Sequence, residues 1–278
     1  MVALLLSLFL YSLNNFLWKI LVLRLTPLQL IWGRSTITFT LIWCVFLFSE
    51  LTLKDLGDIL LLDGWYYLVA SICGLIGLWG MVQGLHRSGL FQLAVFQILI
   101  ALLSAIGTAH FILIDWMSLL GAALVLVAFA FYLNEEKKEK ITQTASLWFL
   151  LMTTGFVSAI FINWHLVQTN DVLPTILTQE TFVFVITSLV SVLFGDRVTR
   201  SYKQNSPHFL LFGLVILAAI FFGAQGLKAS NPFLISIISL IIPIITAVAG
   251  VLLLKEPWRA GYTMAVVLSS IGLVLILN

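Results

Sequence analysis

Charge is scarce in this chain. Only 9% of its 278 residues are Asp, Glu, Lys or Arg, against about 25% in an ordinary soluble domain. Cysteine is scarcer still. Cys44 and Cys73 both lie inside apolar runs and have no CxxC spacing, so buried hydrophobic side chains are the expected role rather than a disulfide or a metal site. The four histidines, His86, His110, His165 and His208, form no HExxH, and no GxSxG occurs. An intramembrane enzyme, which needs a nucleophile with a base or a metal cluster, therefore has no motif in its favour. The absence of a nucleotide-binding motif argues against ATP coupling within the chain. A net charge of +2 implies no nucleic-acid partner, and nothing in the sequence calls for a metal or organic cofactor.

Apolar residues are abundant instead. The hydrophobic share is 61%, with 21 Phe and 9 Trp. No soluble core of this length could bury so much apolar surface, so the lipid bilayer is the expected solvent. A spanning helix needs about 20 mostly apolar residues. Ten such runs can be counted, at 2–23, 28–49, 65–85, 90–113, 116–133, 146–167, 175–194, 208–227, 232–254 and 258–277. Runs this long, without alternation or hairpin turns, predict helices. The first run lacks a basic leader and a small-residue cleavage site, so it is read as a retained span.

Proline marks the boundaries. Pro27, Pro174, Pro207, Pro232 and Pro257 stand at run starts, where a missing N–H does no harm. Thr26, Ser206 and Asn231 precede three of them as expected N-caps. Only Pro243 is interior, and it should kink its helix or free a carbonyl. The longest polar connections are 50–64 and 134–145.

One short stretch occurs twice. Gln83-Gly84-Leu85 and Gln225-Gly226-Leu227 stand 142 residues apart, close to half the chain, and each lies between two apolar runs. The expected architecture is an all-α membrane protein of ten transmembrane helices, built as two five-helix repeats: 1–133 and 146–278, joined by the linker 134–145. Five spans per repeat make the second enter from the opposite face, so the repeats are inverted and the two turns lie on opposite sides. The same offset sets Trp79 on Phe221. It also sets Gln97, Ala101, Ser104 and Thr108 on Ser239, Pro243, Thr246 and Gly250. These stripes follow helical spacing and either pack helices closely or line a cavity. The series Gly74, Gly77, Gly80, Gly84 and Gly261, Ala265, Ser269, Gly272 read as close-packing faces.

Polar groups inside spans each need a reason. Tyr11, Asn14, Asn15 and Trp18 share one helix face; the asparagines bond either a neighbouring helix or a substrate. Lys19 is expected to snorkel to the interface. Arg34 and Glu180 occupy near-equivalent places in spans 2 and 7, about 10 Å deep from opposite faces at 1.5 Å per residue. That leaves about 10 Å between them in a 30 Å core, so a direct ion pair needs long reach, and the expectation for each is a cavity, water, substrate or a local hydrogen bond. Asn163, Trp164 and His165 close span 6. His110 and His165 either carry protons or sit at the interface.

Taken in order, these features resemble the drug/metabolite transporter superfamily, in particular its EamA-type ten-helix members. The residues that carry the resemblance are Asn14-Asn15-Phe16-Leu17-Trp18-Lys19, Arg34 early in span 2, Gly226-Leu227, Pro243, Leu254-Lys255-Glu256 and Gly261. Asp115 stands where Glu is expected and Ala101 where proline is expected, so the first repeat's motif is degraded. The resemblance implies a monomer-sized transporter working by alternating access through a central cavity, in a bacterial inner membrane. The expected function is secondary transport, in the export direction, of a small metabolite such as an amino or organic acid. A lipid-headgroup flippase and a non-transporting sensor are the alternatives. The expected substrate contacts are Asn14, Asn15, Trp18, Arg34, Trp79, Gln83, Gln97, Asn163, Trp164, Glu180 and Gln225. Arg34 is the expected attractor of an anionic group, and Gln83 and Gln225 are expected as paired gates.

Orientation is contested. On this topology the face with both termini receives Lys54 and Lys228, whereas eleven Lys and Arg fall on the other. The positive-inside rule then places the termini outside; the family resemblance implies cytoplasmic termini.

Overall fold

The computed structural model describes residues 2–22, 24–87, 90–108, 115–136, 143–193, 198–254 and 260–277. These form helices α1 (Val2–Val22), α2 (Pro27–Leu47), α3 (Leu53–Leu85), α4 (Leu90–Thr108), α5 (Trp116–Glu136), α6 (Gln143–Thr169), α7 (Val172–Leu193), α8 (Val198–Ala229), α9 (Pro232–Ser239), α10 (Ile241–Leu254) and α11 (Ala260–Leu277). No strand occurs among the described residues.

Several ends follow from local chemistry. Thr26 accepts from the Gln29 N–H at 3.3 Å, while the Gln29 side chain accepts from the Thr26 N–H at 3.1 Å. Pro27 then fills the first helical position, where its missing N–H leaves no bond unmade. Asn231 caps α9 through the Leu234 N–H at 2.9 Å, with Pro232 next in line. Asp115 caps α5 by accepting from the Ser118 N–H at 3.1 Å. Hydrogen bonding to Ser118 holds its carboxyl below the usual carboxylate range.

Three boundaries differ from expectation. α3 begins at Leu53, inside the segment expected to be a connection, because Thr52 and Asp55 form a capping box. α8 begins at Val198, so Pro207 is interior rather than at the helix start, and Ser206 does not mark that start. In both cases polarity along the segment reported the solvent outside a membrane core, not the end of the helix. The third difference is at Leu240, which separates α9 from α10 as a turn residue. Pro243 has no N–H for the Ser239 carbonyl, so the expected disturbance takes the form of a break. Pro257, the Lys255-Glu256 pair, His110 and residues 137–142 of the linker lie outside the described residues, as does the Lys19 side chain.

Six helices are long and apolar enough to cross a membrane among the described residues: Pro27–Leu47, Leu53–Leu85, Trp116–Asn134, Thr144–Thr169, Val172–Leu193 and Pro207–Ala229. Shorter apolar stretches occur at Val2–Asn15, Val95–Ser104, Pro232–Thr246 and Ala260–Ile276. Large apolar side chains such as Phe48, Leu61, Trp65, Trp116 and Leu193 point outward and are exposed. Exposure of that extent fits a lipid environment and not water. The chain is an integral membrane protein of the helical class.

Small residues set the closest crossings. α3 lies along α6 and α5 along α11. A Cβ added at Gly155 would stand 2.5 Å from the Gly77 backbone nitrogen and 2.6 Å from the Cys73 carbonyl oxygen. One at Gly121 would stand 2.6 Å from the Gly272 carbonyl oxygen. Backbone cannot swing aside, so Gly155→Ala must push α3 and α6 apart, at a cost of about 1–3 kcal/mol. Thermal unfolding in detergent should show that loss. Gly57→Ala, where a Cβ meets nothing within 4 Å, should be neutral or stabilising; equal melting of the two variants would remove the packing argument. The glycine series in α3 is not uniform. Gly77, Gly80 and Gly84 pack on α6, but nothing stands within 4 Å of a Cβ at Gly74.

Candidate functional site

The helices enclose a cavity of about 400 Å³, within the usual range for small-molecule sites. Residues from α1, α2, α3, α4, α6, α7, α8, α9 and α10 line it. The shared face of α1 supplies Tyr11, Asn14, Asn15 and Trp18. Seven of the expected contacts line this space: Asn14, Asn15, Trp18, Arg34, Gln97, Asn163 and Glu180. Ser71, Thr175, Gln179, Ser236 and Ser239 also line it. Nothing in their spacing singles out most of these, since Ser and Thr within apolar helices bond their own backbone as readily as a ligand. Gln179 could have been flagged by its place beside Glu180; its amide donates to Asn163 Oδ1 at 3.1 Å.

Four expected contacts lie elsewhere. Trp79 is half-buried and packs in the core with Trp18, Met81 and Phe149. Trp164 and Gln225 are half-buried but do not line the cavity. Gln83 lies in an open groove with Arg24, Thr26, Gln29, His86 and Arg87. Its carbonyl oxygens, backbone and side chain, both accept from Arg87, whose guanidinium sits over the Trp148 ring at 5.4 Å. His165 is exposed and rests on the Tyr66 ring, 5.2 Å between centroids.

The small-residue stripes divide between the two roles foreseen for them. Gln97 and Ser239 line the cavity, whereas Ala101 and Ser104 are fully buried. Ser104 Oγ accepts from Ser236 Oγ at 3.1 Å, joining α4 to α9.

The main correction concerns Arg34 and Glu180. Arg34 Nη2 donates to Glu180 Oε1 at 2.8 Å, with both side chains 5% exposed. Thr38 Oγ1 donates to the other carboxylate oxygen at 2.6 Å. The two residues are separated along the helices much as their depths predict, and the pair forms through side-chain reach. Along the α2–α7 seam Trp32 donates to Ser188, Ser35 shares a hydrogen bond with Thr187, and Trp43 donates to Thr181. Partner numbers fall as α2 numbers rise, so the helices are antiparallel. On that register Arg34 and Glu180 are offset by about eight residues, roughly 12 Å of helix rise. Two long side chains extended toward each other close the gap.

The ends of the bundle have their own polar networks. Lys228 Nζ donates to Asp171 Oδ1 at 3.0 Å, and Asn170 donates to Asp63 Oδ2 at 2.8 Å. Both Gln-Gly-Leu stretches are helical, at the ends of α8 and α3, rather than turns. Gln225 thus sits by the start of α7 and Gln83 by the start of α2, and because α2 and α7 are antiparallel the two stretches lie at opposite ends. Among the described residues no group of His, Cys, Asp and Glu could hold a metal ion.

An all-helical bundle with an apolar exterior and an internal, partly polar cavity defines the class as a polytopic membrane protein. No protein-family model and no curated protein match the chain. Its fold is similar to that of a crystal structure described only as that of a protein. The likeness covers 99% of this chain and 94% of that one, at a TM-score of 0.77 and 14% identity. At that identity the likeness is one of fold.

Proposed function

We propose that the protein is a secondary carrier for a small metabolite, built of ten spans in two inverted five-helix halves and resembling EamA-type transporters. The ten apolar segments coincide with the ten runs in the sequence. Exchanging the halves, with α9 and α10 as one span, maps the main helix contacts onto one another, except those of α5 with α9 and α10 and of α6 with α9. The α3–α6 contact becomes α8–α1, α2–α8 becomes α7–α3, and α4–α6 becomes the contact of α9 and α10 with α1; α2–α7, α4–α9 and α5–α11 map onto themselves. Alternating access between two such halves is the mechanism this arrangement supports.

The observation that carries the reading is the cavity. It is lined from both halves of the chain, and three polar atoms in its wall, Asn14 Oδ1, Arg34 Nε and Gln97 Oε1, are buried with no hydrogen-bond partner among the described residues. Buried polar atoms are nearly always satisfied. A passing solute that supplies the missing bonds explains why these remain open.

Purified protein in liposomes should move at least one member of a panel of amino acids, amides and organic acids. Asn14→Leu should lower that flux by about tenfold, the worth of one good hydrogen bond. Movement of a fluorescent phospholipid, with no solute flux, would instead support a flippase.

A further inference from the structure

The charges in the cavity wall restrict what can enter it. Among the described residues, Arg34 and Glu180 are the only ionic side chains lining the cavity, and they are spent on each other at 2.8 Å. Thr38 occupies the remaining carboxylate oxygen. The other polar residues there are Ser, Thr, Asn, Gln and Tyr, all neutral as they stand. The expectation that Arg34 attracts an anion therefore fails on its neighbour: a solute carboxylate would compete with Glu180 for the same guanidinium. A solute ammonium would face Arg34 in the same way. A net charge brought into this wall has no counter-charge left to meet it, and burial makes that mismatch costly.

Hydrogen bonding is the opposite case. Asn14 Oδ1 and Gln97 Oε1 are acceptors without donors, and Arg34 Nε is a donor without an acceptor. Asn14 and Arg34 are each 4% exposed. Around them the wall is apolar, with Leu8, Leu78, Met81, Ile100, Phe156 and Ile160.

We infer that the cavity takes a solute of zero net charge, with an apolar body and a compact polar head. The head gives hydrogen bonds to Asn14 and Gln97 and accepts one from Arg34 Nε. A zwitterion or a primary amide meets that description; a simple carboxylate or amine does not. The inference rests on the carrier reading in taking this cavity as the solute site, and it narrows that reading's solute class.

Four probes that share a branched aliphatic body separate the classes: leucine, 4-methylpentanamide, 4-methylpentanoate and 3-methylbutylamine. Dissociation constants come from the concentration dependence of thermal unfolding of the purified protein in detergent. Leucine or the amide should bind at least about tenfold tighter than the anion and the amine, because like-charge juxtaposition rejects the latter two. In Glu180→Gln the amide oxygen can still accept from Thr38, but the charge on Arg34 is unbalanced. There 4-methylpentanoate should gain at least about tenfold relative to 4-methylpentanamide.

The inference is overturned if the wild-type protein prefers the anion or the amine, if none of the four binds, or if Glu180→Gln folds and keeps the wild-type order. Should that variant fail to fold, the wild-type ranking decides alone. The same probes in liposomes separate this inference from the carrier reading. Neutral solutes that bind in the stated order but do not cross would sink the carrier and leave the binding site standing. Flux confined to the anion would keep the carrier and remove the solute class.

Discussion

Glu180→Ala should destabilise the protein by about 3–5 kcal/mol, the cost of removing one partner of a buried ion pair. Arg34 would keep its charge in a setting where it is 4% exposed, with no acidic side chain among the other described residues lining the cavity. Thr38 would lose the acceptor it now meets at 2.6 Å. The damage comes from the stranded charge rather than from the lost attraction. It follows that the double variant Arg34→Met, Glu180→Met should recover most of the loss, because a buried pair replaced by apolar groups of similar volume is often neutral. Thermal unfolding of the single and double variants in detergent gives the comparison. A double variant no more stable than Glu180→Ala would show that the seam depends on the pair itself.

This pair also marks how far the sequence could be read. Helix positions followed from twenty-residue apolar runs, because a bilayer permits little else. Pro27 and Asn231 stood where caps require them. The face of α1 carrying Asn14, Asn15 and Trp18 followed from helical spacing alone, and it lines the cavity. Contacts between distant helices were less legible. Ser35, Thr38, Trp43, Thr181 and Thr187 look unremarkable in isolation, and become a polar seam only once α2 and α7 are set side by side. Depth counted from the helix ends set Arg34 and Glu180 about 10 Å apart along the membrane normal, close to the offset found; that both side chains extend toward each other was not legible, because it depends on the rotation and packing of the two helices. Gln83 and Gln225 were legible as a repeated stretch and as lying at opposite ends. Their distance from the cavity was not, since the half-turn separating a lining residue from an outer one depends on helix rotation.

The second large effect is expected at Trp18. The side chain is 2% exposed and meets Phe212 edge-on, 4.8 Å between ring centroids. It belongs to the core that joins α1 to α2, α3, α6 and α8, and it also lines the cavity. Trp18→Ala should cost about 3–5 kcal/mol, as is usual for removing a buried aromatic. The void opens into the solute space, so binding should weaken alongside stability. Trp164→Ala is the comparison: Trp164 is half-buried and lies off the cavity, and its replacement should lower the melting temperature less and leave solute affinity nearly unchanged. If the two tryptophans behaved alike in both measurements, the cavity would lose its claim to be the solute site. Trp18→Phe should restore most of the packing, which separates the loss of bulk from the loss of the indole.

The hydrogen bond from Thr38 to Glu180 joins residues 142 positions apart, the same interval that separates the two Gln-Gly-Leu stretches. On the proposed inverted-repeat carrier, each would be the counterpart of the other, meeting where α2 packs on α7. A rocking motion that interchanged such halves would exchange the surroundings of a hydroxyl with those of a carboxylate. Those two groups are not equivalent, so the two open forms of that carrier would differ in energy even with no solute bound, and the empty protein would have a resting side set by which half received the acid.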